Sequence, residues 1–215
     1  TTTPWTLPAN LMLAVSSEMT YCLVNCGNEH FVVAKSCLEQ TFQDEKHQPI
    51  AYTVAQEFTG DKLVGLKYQP LGTGSTWPND PKVHQIYAAD FVSSDSGTGI
   101  VHIAPAYGED DFKLAQSLGI KAFHVIDDNG YYMDTNYKGR EVWSNNKFVA
   151  KDLAEKGVIW QIRYIQHEYP FNPRSKQRIM YRAIPSWFFN IQDAKPLLFA
   201  QNENINWFPP HLKHG

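Results

Sequence analysis

Two segments of the chain gather side chains that could do chemistry. TTTPWTLPAN, Thr1 to Asn10, sets three consecutive threonines, Thr6 and Asn10 around Pro4 and Pro8. Each threonine hydroxyl can donate one hydrogen bond and accept others. Held rigid by the prolines, such a cluster could hold a water, a ribose hydroxyl or a carbonyl oxygen. Threonine is also a good strand former, so spacing alone favours an ordinary β-strand here. In the second segment, GTGIVHIAPAYGEDDF, Gly97 to Phe112, a Gly-rich turn feeds a strand bearing His102. The turn Ala104-Pro105-Ala106 then delivers Glu109, Asp110 and Asp111 to a helix start. At most two of these acids can cap the helix, which leaves one to face a cavity. A capping acid and a satisfied structural histidine remain the plainer alternative.

Other chemistries lack their signatures. There is no G-x-G-x-x-G or phosphate-loop lysine, no H-E-x-x-H and no G-x-S-x-G, and the only close histidine pair is the terminal HLKH. The expectation is therefore no metal and no serine nucleophile. Cys22, Cys26 and Cys37 are odd in number and lack zinc spacing, which predicts buried thiols in a reduced, cytosolic protein. No apolar run reaches the ~18 residues a membrane span needs, and the first residues resemble no signal peptide, so the chain reads as an excised fragment.

The elements that must position these residues are read as mostly β in the first hundred positions. Strands are expected at Leu11–Val15, Tyr21–Val24, Phe31–Ala34, Ala51–Ala55, Leu63–Tyr68, Gln85–Val92 and Gly99–Ala104, with a short helix from Ser36 to Phe42. The loop PLGTGSTWPNDP interrupts them. A helix is expected between Gly108 and Gly119, with acids in its first turn and a closing glycine, and a second over Asn145–Lys156. Val158 to Tyr169 should run extended. With 43% hydrophobic residues over 215 positions the chain can close a core. Net charge is −3, so any polyanion must bind a local patch. All five arginines, Arg140, Arg163, Arg174, Arg178 and Arg182, lie in the last third, where a solvated face is the simpler account.

At the two chemical segments the sequence resembles the isoleucyl-tRNA synthetase family. TTTPWTLPAN looks like the threonine-rich peptide of that family's editing domain, and GTGIVHIAPAYGEDDF is similar to its second editing motif. YRAIPSWFF resembles the strand by which the insertion returns to the catalytic domain. Thr2-Thr3-Pro4-Trp5 is of the isoleucyl type, whereas valyl and leucyl enzymes carry Thr-Thr-Arg-Pro. The synthetic-site signatures His-Ile-Gly-His and Lys-Met-Ser-Lys-Ser are absent. Ile103, Ala106 and Tyr107 depart from the Thr, Gly and His of many bacterial members, and Pro170 to Lys176 departs from a region often holding Trp or Cys and Asp-Thr-Pro.

The resemblance implies an α+β fold, a β-barrel-rich editing domain with peripheral helices, spanning 1–215, with 178–215 partly an arm returning toward the absent catalytic domain. It implies hydrolysis of valine wrongly attached to the isoleucine tRNA. One methylene in an apolar pocket is worth roughly 1–3 kcal/mol, a range drawn in part from this enzyme family itself, so a second, hydrolytic site is needed. Asp111 would hold the substrate's α-ammonium, and His102 would stand beside its aliphatic side chain. Thr1, Thr2, Thr3 and Thr6 would orient the ester, the ribose and the attacking water, with Asn10 in support and Trp5 among the substrate-binding residues. Glu109 and Asp110 take capping or solvent roles. No cofactor is expected in this domain, ATP and magnesium belonging to the full enzyme. The implied partners are the 3′ end of the isoleucine tRNA carrying valine and the parent catalytic domain, with a monomeric chain and no membrane. The alternatives are valyl- or leucyl-type specificity, a non-catalytic module binding the tRNA acceptor end, and a metal-dependent hydrolase of unrelated fold.

Overall fold

In the computed structural model, which describes residues 1–94, 97–163 and 169–214, a short 3-10 helix at Pro4–Ala9 leads into strand β1, Met12–Val15. The strand expected of the threonine-rich segment is therefore not formed. Pro4 fixes the backbone at the first helical position, where its missing N–H costs nothing. β1 is the middle strand of a three-stranded sheet. It runs parallel to β5, Gln85–Ala88, and antiparallel to β6, Ile100–Ile103, with Leu13 opposite His102. A second sheet is antiparallel in the order β3-β2-β4, formed by Glu29–Ala34, Thr20–Cys26 and Thr53–Thr59. The helix expected over Ser36–Phe42 is a 3-10 turn, Lys35–Cys37, continued by one α-turn, α1, Leu38–Thr41.

The mixed α+β class holds, but the barrel does not. Two open three-stranded sheets form, and no closed barrel is present among the described residues. No regular strand forms over Leu63–Tyr68: a 3-10 turn at Gly60–Lys62 runs into Gly65 at φ +89°, a left-handed conformation incompatible with a strand, although Gly65, Leu66 and Tyr68 still exchange backbone hydrogen bonds with His84 and Ile86 and Lys67 bridges to Gln85. β4 is exposed along almost its whole length, so it offers no second face for packing.

Helix α2, Glu109–Leu118, stops at Gly119, whose left-handed backbone returns its N–H to the last turn, as the glycine predicts. Helix α3 spans Val142–Glu155 and starts three residues earlier than its sequence pattern suggests. Its first turn is capped by the Glu141 carboxylate, which accepts from Trp143 and Ser144 N–H. Glutamate is not a usual capping residue, so composition does not mark this start. Part of the expected extended stretch, 164–168, lies outside the described residues.

Three apolar clusters make up the core, and the segment from Trp5 to Val15 contributes to each of them. Trp5 and Ala9 pack with Tyr107, Ile126, Tyr132 and Leu153. Leu11, Met12 and Ala14 pack with Ile103, Ala115 and Ile120, and Val15 joins the β2-β3-β4 sheet. Cys22, Cys26 and Cys37 are free and buried, as expected. The chain divides into two compact units, Thr1–Ala183 and Ile184–Gly215. The smaller unit contains helix α4, Lys195–Asn202, and a 3-10 turn at Pro210–His214. No helix among the described residues is long and apolar enough to cross a membrane.

Candidate active site

The threonine-rich segment is pinned on both sides of Trp5. Trp5 N–H donates to Asn146 Oδ1 of α3 at 2.9 Å, and Trp5 carbonyl accepts from the Tyr132 hydroxyl at 2.8 Å. Ser75 donates to the Pro8 carbonyl at 2.7 Å. Asn146, Tyr132 and Ser75 carry no signal in the sequence, since they lie far along the chain with no shared spacing. Trp5 itself is 2% exposed and packs edge-on against Tyr107 and Trp143, in the core rather than at a surface.

The pinned segment turns its hydroxyls toward β6. Thr6 Oγ1 lies 3.0 Å from His102 Nε2 and donates to the Thr3 carbonyl at 2.9 Å. Thr3 Oγ1 stands 3.4 Å from Thr6 Oγ1 and 3.3 Å from Thr1 Oγ1, while Thr1 and Thr2 are exposed. Asn10 Nδ2 meets the other ring nitrogen, His102 Nδ1, at 2.8 Å. The structure thus joins Thr1, Thr3, Thr6, Asn10 and His102 in one network across the first sheet. His102 is partly buried as a residue, but its ring is enclosed by Thr6 and Asn10. Desolvation pushes its pKa down to about 3. The ring is neutral.

Asp111 is half-buried in the first turn of α2, the third residue after the cap Gly108. Its Oδ2 accepts from Ala104 N–H at 2.7 Å, across the turn that follows β6. Desolvation dominates over that bond and lifts the carboxyl to about 6, with Asp110 adding a smaller push in the same direction. Glu109 instead pairs with Lys113 at 2.7 Å on the exposed face, and Asp110 is exposed. Asp111 and His102 are thereby tied to the same short stretch of backbone, Asp111 through Ala104 and His102 through β6.

The arginines are largely engaged within the chain. Arg163 donates to the carbonyls of Gln40 and Thr41 at the end of α1 and of Gln43 just beyond it. Arg140 lies over Phe148 and Arg178 over Trp143, and Arg182 pairs with Asp128. An open concavity of about 520 Å³ lined by Asp127, Tyr131, Met133, Asp134 and Lys138 includes none of the threonines, His102 or Asp111.

Residues 52–157 match the family model described as leucyl-tRNA synthetase, editing domain. The solved structure of GlLeuRS-CP1 has a TM-score of 0.57 at 15% identity, covering 78% of this chain and 83% of that one. The Plasmodium falciparum cytosolic leucyl-tRNA synthetase editing domain has a TM-score of 0.52 at 13% identity, over 73% of this chain and 75% of that one. The family model and the fold together make this an editing domain of the aminoacyl-tRNA synthetases. Isoleucine–tRNA ligase from Mycobacterium tuberculosis is 36% identical across 100% of this chain, and isoleucine–tRNA ligase 2 from Pseudomonas fluorescens is also 36% identical across 100% of it. The chain belongs to the isoleucyl-tRNA synthetase family, as an editing-domain segment. It spans 21% and 20% of the lengths of those two relatives.

Proposed function

We propose that this chain hydrolyses the ester that joins valine to the 3′ end of the isoleucine tRNA. The observation that carries the reading is the threonine network around His102 on β6, together with a half-buried Asp111 whose carboxylate is bonded to Ala104 in the turn that follows β6. In this reading the Asp111 carboxylate holds the α-ammonium of the aminoacyl group, and Thr2 and Thr3 orient the ester and a water, with Thr1 at the rim. The water oxygen adds to the ester carbonyl carbon, the carbon–oxygen bond to the ribose breaks, and the departing ribose oxygen takes up a proton. Valine and tRNA are released with no covalent enzyme intermediate. Thr6 already donates to the Thr3 carbonyl, which suits it to positioning rather than to proton transfer. Positioning and fixed dipoles supply the rate, with no metal in the step. Trp5, in the core, supports the segment instead of touching substrate.

The parent catalytic domain, with its ATP and magnesium, is the partner proposed for the smaller unit, whose Trp187, Phe188 and Phe189 are each 88% exposed or more. The test is release of valine and of isoleucine from the isoleucine tRNA by this chain at high concentration. Valine release with isoleucine spared is expected. Retained tRNA binding with release of neither amino acid would instead describe a binding module.

Gly108 offers a subtler check on Asp111. A Cβ there would stand 2.9 Å from the Asp111 carboxyl carbon, so Gly108→Ala must displace the carboxylate. The backbone at Gly108 is extended and accepts alanine, so the fold should survive at a cost of about 1 kcal/mol. Valine release should fall about tenfold through the misplaced carboxylate. Unaltered release in a folded variant would argue against Asp111 as the ammonium site.

A further inference from the structure

The direction of each hydrogen bond around His102 can be fixed. Asn10 is 4% exposed, and its Nδ2 lies 2.9 Å from the Met12 carbonyl and 2.8 Å from His102 Nδ1. A carbonyl oxygen only accepts, so the Asn10 atom facing Met12 must be the NH2 group. Its second hydrogen points at His102 Nδ1, which therefore presents a lone pair. The ring proton is then on Nε2, facing Thr6 Oγ1 at 3.0 Å. Thr6 spends its own hydrogen on the Thr3 carbonyl, so it can receive this one. At the other end, Asn10 Oδ1 accepts from the Tyr68 hydroxyl. Donation runs one way, from Tyr68 to Asn10, His102, Thr6 and finally the Thr3 carbonyl.

We propose that Tyr68 is a positioning residue for the editing reaction: by anchoring the Asn10 amide it holds His102 as the Nε2–H tautomer, in one ring orientation beside the threonines. The inference rests on the hydrolytic reading above for its link to activity. His102 then serves as a donor to Thr6 and as a wall, and not as a base. Burial raises the Tyr68 phenol, which keeps its proton, and burial keeps the His102 ring neutral. The Tyr68 ring is itself held edge-on against His84, with centroids 5.6 Å apart, and the Tyr68 backbone N–H donates to the His84 carbonyl at 3.0 Å. Removing the hydroxyl alone orphans a buried acceptor on Asn10 and leaves the amide held only through its NH2 group, by the Met12 carbonyl and His102 Nδ1. The less firmly held amide weakens its bond to Nδ1.

The experiment is nitrogen-15 NMR of histidine-labelled chain at pH 7, with the His102 signals assigned by their absence in His102→Gln. In the unmodified chain Nδ1 should resonate as an unprotonated ring nitrogen and Nε2 as a protonated one. In Tyr68→Phe, which keeps the ring packing, Nδ1 should move toward the protonated position. The kcat for valine release should fall about tenfold with KM within about twofold. A proton on Nδ1 in the unmodified chain overturns the proposal, and so do unchanged shifts or an unchanged kcat in Tyr68→Phe. An unmodified chain that shows the expected shifts but releases no valine refutes the hydrolytic reading, and with it the catalytic part of this inference.

Discussion

Asp111→Asn is expected to stop valine release while making the protein more stable at neutral pH. The folded carboxyl titrates at about 6, against an ordinary value of 3.8. Between those values the folded state binds more protons than the unfolded one, so stability falls as pH rises from about 4 to about 6 and remains lower above that window. The loss is about 2–3 kcal/mol, set by desolvation of a charge that the Ala104 N–H only partly offsets. Asparagine has no charge to desolvate, and its side-chain oxygen can accept from Ala104. The thermal midpoint should therefore rise by roughly 5–10 °C at pH 8 and differ little at pH 4.

Activity should respond in the opposite direction. A carboxylate–ammonium contact is worth about 1.5–3 kcal/mol, and misplacement of the ester adds to the loss, so release should fall at least about 100-fold. In the unmodified chain, kcat/KM for valine release should rise about tenfold per pH unit up to about pH 6 and then level off. Melting curves at the two pH values, with deacylation assays, test both halves. An Asn variant with unimpaired release would remove Asp111 from the substrate site, and an equal midpoint shift at both pH values would remove the buried charge as its cause.

The second large effect is expected for His102→Ala. The ring separates Thr6 from Asn10 and contacts both, so its loss leaves a cavity and two buried polar groups without their partner. The cost to stability should be about 3 kcal/mol. If the ring also walls the space for the amino-acid side chain, the extra methylene of isoleucine then fits. Discrimination worth about 1–3 kcal/mol should disappear, and isoleucine should be released from its own tRNA. Parallel release curves for the two aminoacyl-tRNAs check this, with a denaturant melt to confirm folding. A folded variant that still spares isoleucine would move the discriminating wall elsewhere.

Local patterns made some elements legible and left others hidden. The acids and Gly119 marked α2 because helix ends have chemical requirements of their own. The apolar runs marked β1, β2, β3 and β6 because a buried strand must be apolar. Thr1–Asn10 misled on strand propensity, since Pro4 and long-range bonds to Asn146, Tyr132 and Ser75 outweigh what threonine prefers alone. Leu63–Tyr68 has the composition of a strand, but the left-handed backbone at Gly65 breaks it, and its hydrogen bonds to His84 and Ile86 leave an irregular bridge instead of a strand. At the site, Thr6, Asn10, His102 and Asp111 were legible through two motifs. Tyr68 was not, because its role depends on a hydroxyl meeting Asn10 from 58 positions away.

The same long separations govern how the molecule is made. Thr6 and Asn10 meet His102 across 96 and 92 positions, and Trp5 meets Tyr132 and Asn146 across 127 and 141. Each such contact closes a large loop before it returns any stabilising energy, and that ordering cost slows folding. The β2–β3 hairpin, closed by two residues, can form early and by itself. The threonine segment can meet Tyr68 and Ser75 earlier, but His102 and Asn146 join it only once β6 and α3 have arrived, so the geometry of the candidate site is completed late, and a chain released before residue 146 would carry the motif without its full set of anchors.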